Sequence, residues 1–237
     1  SVNIYADSKS PLSLAFLNEQ NDAEYIFYKD HPHDRLDFDY PDVQPDDVVL
    51  FGSYYAVNPV IRPQVAGFLE FARQHGAILY YDVNFRASHK NEVMKLTPNL
   101  IENLEVADIV RGSTEDFQNM FQISDPEKVY QKEVAFHCKQ MLCTDAEGDI
   151  SLFSPSVTKT YKVNKIETVS TIGAGDNFNA GIIYGLLQEG VGCDNLASIS
   201  EETWNRIIAH GAAFAAEVCQ SFNNSISKEF ANNYGRK

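Results

Sequence analysis

The sequence predicts an α/β domain of three layers, with helices on both sides of a mainly parallel sheet. Three observations lead there. Short apolar runs alternate with helix-spaced segments from Val48 onward. Residues 48–51 form a continuous apolar run closed by Gly52-Ser53, as a parallel strand buried on both faces requires. A glycine-rich turn, Gly173-Ala174-Gly175, opens directly into an apolar stretch of helical spacing.

Taken in order, the first 30 residues are β-rich. Residues 12–17 and 23–28 are strand-like and are separated by polar residues 18–22, which predicts a hairpin. Residues 31–47, rich in Asp and Pro, predict a loop. His31 and His33 alternate there with Pro32 and Asp34. No further ligands cluster nearby in sequence, so a solvated loop fits better than a metal site. The 48–51 strand is followed by a helix over 59–74, with Val65, Phe68, Leu69 and Ala72 on one face and Gly76 past its end.

Residues 77–81 are the next strand, and Asp82-Val83-Asn84-Phe85-Arg86 lies at its carboxyl end, where ligands sit in open α/β sheets. In an extended segment Asp82, Asn84 and Arg86 point the same way. Arg86 can meet a phosphate with two parallel hydrogen bonds. An Asp–Arg salt bridge closing a loop is the plainer reading. Residues 91–104 are helical in character, with Pro98 a break or a second start. A strand over 108–111 leads to Ser113 and Asp116, which suit an N-cap and an acidic first turn, and then to helical residues 117–121. A helix over 125–137, a strand over 139–144 and a hairpin of 149–153 with 158–163 complete this part. Beyond the glycine turn, Phe178, Ile182, Ile183, Leu186 and Leu187 share a helical face that stops at Gly190. Residues 201–221 form a second helical block whose Gly211, Ala212, Ala213, Ala215 and Ala216 permit close helix packing. No repeat, low-complexity tract or linker divides the chain, so residues 1–237 are expected to form one domain.

With 237 residues, 44% hydrophobic and 22% charged, the composition is that of a globular protein with a substantial core. A formal charge of −14 argues against nucleic acid or an anionic membrane as the main partner. It leaves room for ATP, because backbone amides and a metal ion bind phosphate locally. Cys138, Cys143, Cys193 and Cys219 lack zinc-site spacing and suit reduced structural thiols. Nothing has the pattern of a signal peptide or a membrane span, so a cytoplasmic location is expected.

The glycine turn carries the chemistry. Gly173 and Gly175 let successive amides turn toward one point, at the positive end of a helix dipole, which suits phosphate. Asp176 sits in the first helical turn beside that point. A carboxylate there either caps the helix or deprotonates a hydroxyl that attacks a phosphoryl group.

The stretch from Ser170 to Gly181 resembles the signature of the PfkB family of carbohydrate kinases, of ribokinase-like fold, whose usual form is Asp-Thr-x-Gly-Ala-Gly-Asp-x-Phe-x-Ala-Gly. Thr171 through Gly181 fit, and Ser170 stands where the family commonly has Asp. Further matches follow in order. Asp82-Val-Asn-Phe-Arg86 resembles the family's Asp-x-Asn-x-Arg motif near the phosphates or sugar. Ser113 and Asp116, with Glu115 beside them, stand where the family has Asn-x-x-Glu, which organises magnesium, often through water. Thr144-Asp-Ala-Glu-Gly148 resembles the Thr-x-Gly-x-x-Gly turn that contacts nucleotide, with Asp145 in place of the first Gly. The Ala-rich helix near Ala213 and the loop at Phe222 correspond to the wall of the adenine pocket. Residues 25–30 are most similar to the fructokinase branch. The likeness begins partway into the family pattern: the opening strand and a Gly-Gly-x-x-x-Asn region are absent, and residues 1–30 match part of a β lid.

The resemblance implies transfer of the ATP γ-phosphate to a sugar hydroxyl, with fructose as the leading acceptor. Asp176 would be the base, and the amides of Gly173, Ala174 and Gly175 the anion hole. Asp82, Asn84 and Arg86 would serve substrate or phosphate. Thr144, Glu147, Gly148, Ala213 and Phe222 would serve the nucleotide, and Asp116 or Glu115 the outer shell of Mg2+. The resemblance also suggests a monovalent cation near Ser170 and Thr171. A homodimer is a separate expectation, which no motif carries. Two alternatives stand beside this reading. One is a nucleoside or other small-alcohol kinase of the same fold. The other is a non-catalytic PfkB-like binding or assembly protein, suggested by the departures at Ser170, Asp145 and Ser113/Asp116.

Overall fold

A computed structural model describes residues 9, 12–17, 23–28, 36, 38–146, 148–163 and 166–235. His31, His33 and Glu147 lie outside these residues. The described chain forms two compact units: the first holds described residues within 33–164 and 191–200, the second those within 4–32, 165–190 and 201–237.

The second unit opens the chain. Strands β1 (Leu12–Leu17) and β2 (Ala23–Tyr28) pair antiparallel, with Leu12 opposite Tyr28 and Leu14 opposite Ile26. Leu12, Leu14, Phe16, Ile26 and Tyr28 are exposed and, by the period of two, share one face of the ribbon.

The first unit is built on a six-stranded sheet. After β3 (Val48–Gly52) come a one-turn helix α1 (Ser53–Val57), helix α2 (Arg62–Gln74) and strand β4 (Ile78–Asp82). A 3₁₀ segment (Ala87–Glu92) leads into α3 (Val93–Val106), then β5 (Ile109–Ser113), α4 (Thr114–Phe121) and α5 (Pro126–Val129). A π-type turn (Tyr130–Val134) precedes β6 (Met141–Thr144), β7 (Ile150–Phe153) and β8 (Thr158–Tyr161). The strands lie in the order β3-β4-β5-β6-β7-β8; the first four are parallel and the last two antiparallel.

The sheet has two buried faces. Tyr81, Val110, Met141, Cys143 and Phe153 pack with Leu96, Leu100 and Leu104 of α3 and Phe117 and Met120 of α4. On the same face Leu79 packs with Val65, Leu69 and Ala72 of α2. The opposite face, carrying Ile78, Tyr80, Ile109, Leu142 and Leu152, is equally buried. The expected α/β class and mainly parallel sheet are therefore present.

Local expectations shift in three places. Residues 53–57 turn into helix where only the strand end was expected, with Ser53 taking the left-handed backbone (φ 57°) that lets the chain reverse after Gly52. Pro98 neither breaks nor starts α3 but lies inside it, and the helix instead starts at Val93, after the 3₁₀ segment. The helix expected over 125–137 is a single α turn followed by the π-type turn.

The second unit continues with α6 (Ala174–Gln188), α7 (Glu201–Cys219) and α8 (Lys228–Tyr234). Helices α6 and α7 approach closely because glycines face each other. A Cβ on Gly181 would stand 2.5 Å from the His210 carbonyl oxygen, and one on Gly211 2.8 Å from Ile182 Cδ1. Tyr184, His210, Phe214, Phe230 and Tyr234 form an aromatic cluster that seats α8, and His210 Nδ1 lies 2.8 Å from the Tyr234 hydroxyl. Among the described residues no helix is long and apolar enough to cross a membrane.

Candidate active site

In the first unit the carboxyl ends of β4, β5 and β6 form a polar rim. Each strand contributes its last residues: Asp82 from β4, Arg111 and Ser113 from β5, and Thr144 from β6. Arg111 is in register with Asp82 and, by alternation, projects from the same face as Asp82 and Thr144. Its Nη1 donates to Asp82 Oδ1 (3.1 Å) and its Nη2 to Thr144 Oγ1 (2.9 Å). Burial works against the Arg111 charge, but the carboxylates of Asp82 and Asp116 more than offset it and raise its pKa. Gly52, opposite Asp82 in β3, allows close approach: a Cβ there would stand 1.9 Å from the Asp82 carbonyl oxygen.

The expectation that Asp82, Asn84 and Arg86 point the same way is corrected here. β4 ends at Asp82, and Asn84 takes a left-handed backbone (φ 38°), so the segment is not extended. Asp82 is buried, Asn84 half-buried and Arg86 exposed.

Ser113 and Asp116 realise the capping arrangement. The Asp116 amide donates to Ser113 Oγ (3.1 Å), and the Ser113 amide and hydroxyl both donate to Asp116 Oδ2 (2.7 Å each). Asp116 is thereby buried, and Glu115, one residue before it, is exposed. Among the described residues no three His, Cys, Asp or Glu side chains are grouped to hold a metal ion. At Asp145, which replaces the first Gly of the family's turn, the carboxylate accepts from the Asp149 amide (2.9 Å) and closes the β6–β7 turn. Gly148 completes that turn with φ 93°, its amide donating to the Asp145 carbonyl (3.2 Å).

In the second unit Gly173 caps α6 with φ 81°, and Asp176 is the third helical residue, exposed. Of the three amides expected in the anion hole, that of Ala174 donates to the Thr171 carbonyl (3.1 Å). The amides of Gly173, Gly175 and Asp176 meet no acceptor among the described residues, and no side chain caps the helix. Ser170 is buried, and its hydroxyl accepts from the Ile172 amide (3.2 Å).

The chain after α7 returns to this turn. The Val169 amide donates to the Cys219 carbonyl (2.8 Å), and Asn177 Nδ2 donates to the carbonyls of Gly173 (2.8 Å) and Asn224 (3.0 Å). A Cβ on Gly173 would stand 2.8 Å from the Asn224 oxygen. The exposed ring of Phe222 is thus carried on a loop fixed to the glycine turn, while Ala213 is half-buried within α7.

Sequence reasoning passed over Arg111 and Asn177. The signal for Arg111 was a charge inside an otherwise apolar strand, which burial obliges to find partners. Asn177 had no such signal, because its partner Asn224 is distant in sequence.

A family model for the pfkB family of carbohydrate kinases matches residues 1–230. The chain is similar to a 5-dehydro-2-deoxygluconokinase of Geobacillus thermodenitrificans, with 29% identity over 195 residues, 76% of this chain and 57% of that protein. It thus spans little more than half the length of that relative. A fructokinase from Vibrio cholerae O395, solved with fructose, ADP and calcium, superposes with a TM-score of 0.72 at 16% identity, over 92% of this chain and 69% of that one. A fructokinase from Xylella fastidiosa with bound ATP gives a TM-score of 0.73 at 18% identity, over 93% and 70%. At such identities the structural likeness speaks for the fold, which is ribokinase-like. With the glycine turn, the strand-end motifs and a family match over nearly all of its length, this chain belongs to the pfkB family of carbohydrate kinases.

Proposed function

We propose that this protein transfers the γ-phosphate of ATP to a hydroxyl of a sugar or sugar acid. The observation that carries this reading is the opening of α6, where Asp176 stands in the first turn beside amides with no acceptor among the described residues. Fructose leads as acceptor, supported by the fructokinase neighbours. 5-Dehydro-2-deoxygluconate is the second candidate, supported by the relative that is 29% identical.

ATP supplies the phosphoryl group, and Mg2+ offsets its charge. Asp176 takes the acceptor's hydroxyl proton late in a loose transition state, a task that needs little base strength. The amides of Gly173, Gly175 and Asp176 hold the developing negative charge, and anion holes of this kind contribute about 3–4 kcal/mol. Asp82, Asn84 and Arg86 serve acceptor or phosphate. Thr144, Glu147, Gly148, Ala213 and Phe222 serve the nucleotide. Between the two acidic candidates for the water shell of Mg2+, Glu115 is the accessible one, because Asp116 already holds the cap of α4.

The test is ADP release with MgATP across a panel containing fructose, 5-dehydro-2-deoxygluconate and nucleosides. Turnover on one of the first two, reduced about 10²–10⁴-fold in Asp176→Asn, is the expected result. Turnover on a nucleoside would retain the mechanism and overturn the acceptor. A folded protein that binds ATP and phosphorylates nothing would overturn the kinase reading.

A further inference from the structure

Arg111 is a cation with both arms engaged, lying under the rim of the first unit. Asp82 and Thr144 belong to strands on opposite sides of β5, and a single guanidinium spans both. A planar guanidinium can do this because its terminal nitrogens are held in a fixed fork, whereas an ammonium is a compact point charge on a flexible stem. The bond to Asp82 is charge-assisted at both ends, and the bond to Thr144 makes that hydroxyl an acceptor, leaving its own proton to be donated elsewhere. The orientation of Thr144 is thus set through a residue whose charge is in turn held by Asp82.

We propose that Arg111 is a positioning residue that couples Asp82 to Thr144, so that the acceptor-side carboxylate and the nucleotide-side hydroxyl act as one unit. The proposal rests on the kinase reading above, in which Thr144 meets the nucleotide. It predicts that ATP affinity responds to substitutions at Asp82, although Asp82 and Thr144 bond to opposite arms of the same side chain.

The experiment is a set of double-mutant cycles on the full chain, read as the Kd of MgATP by calorimetry and as the KM of ATP against kcat. Thr144→Val is expected to weaken ATP binding about ten-fold, the worth of a hydrogen bond to a charged partner. Arg111→Lys, which keeps the charge beside Asp82, is expected to stay folded and to weaken ATP as much as Thr144→Val does. Adding Thr144→Val to Arg111→Lys is then expected to change the Kd less than two-fold. Asp82→Asn is expected to weaken ATP in the Arg111 background and to leave it unchanged in the Lys background.

Multiplicative effects of Arg111→Lys and Thr144→Val would overturn the coupling while leaving the kinase reading intact. So would an unchanged ATP Kd in Arg111→Lys, or losses of kcat that merely follow the folded fraction measured by circular dichroism. A folded wild-type protein that neither binds nor turns over ATP would overturn both.

Discussion

Gly173 and Arg111 each anchor a polar site, one through what it lacks and the other through what it carries. At Gly173 the backbone does the work: a left-handed residue without a Cβ turns the chain into α6, and the Asn224 carbonyl fills the space a side chain would occupy. At Arg111 the backbone is an ordinary strand, and a long side chain gathers groups from the strands on either side. The first arrangement is contiguous in sequence apart from one loop. The second joins residues 29 and 33 positions away from Arg111. The backbone-built site depends on its glycine and on one side chain, Asn177, which bonds the Gly173 and Asn224 carbonyls. A site built from side chains tolerates backbone neighbours but no loss of a partner.

The sharpest way to break this contrast is Gly173→Ala. A left-handed backbone costs an ordinary L-residue about 1–2 kcal/mol, and the new Cβ would also meet the Asn224 oxygen. We expect stability in urea to fall by at least about that amount, with turnover per folded molecule falling further as the amides move. Unchanged turnover in a stable variant would show that the turn does not need its glycine.

Next in size is Ser113→Ala, which removes the cap of α4. The expected loss is about 1 kcal/mol in urea unfolding. Because it also releases Asp116, the Mg2+ concentration for half-maximal rate separates two roles. An unchanged value leaves Asp116 a cap alone, and a shifted value gives it a part in the metal shell.

The smallest effect concerns whether a titrating side chain matters in the second unit. Burial holds the His210 pKa below its ordinary value, with Glu189 opposing. Since the unfolded chain then takes up the proton first, the stability from neutral His210 is present above about pH 6.5 and is lost as pH falls through the folded value. Thermal unfolding should therefore weaken from pH 7 toward pH 5.5, and His210→Gln should remove that slope. An identical slope in the variant would assign it elsewhere.

Much of this was legible in the residues. The strands expected over 48–51, 77–81, 108–111 and 139–144 announced themselves by short apolar runs, and the structure has β3 to β6 there with ends within two residues; the glycine turn before Phe178 announced itself by its spacing. The reversal at Ser53, the uninterrupted helix through Pro98 and the turn at Asn84 were not legible. At Asn84 two local signals compete: the alternation of its neighbours suggested a strand, whereas asparagine is one of the few residues that enter the left-handed region readily, and the turn is what forms. The Asp82–Arg111–Thr144 tie was hidden for a different reason. Its members are motif residues or strand residues in sequence, and only the order β4-β5-β6 makes them neighbours.

That strand order also has a consequence for how the chain is made. From β4 to β8 each strand lies beside the one synthesised just before it. During translation every new strand meets a partner already in place, and each loop to be closed is short. The sheet of the first unit can therefore pair strand by strand as it emerges from the ribosome, and only residues 191–200, whose Ile199 carbonyl accepts from the Ser156 hydroxyl, join it later.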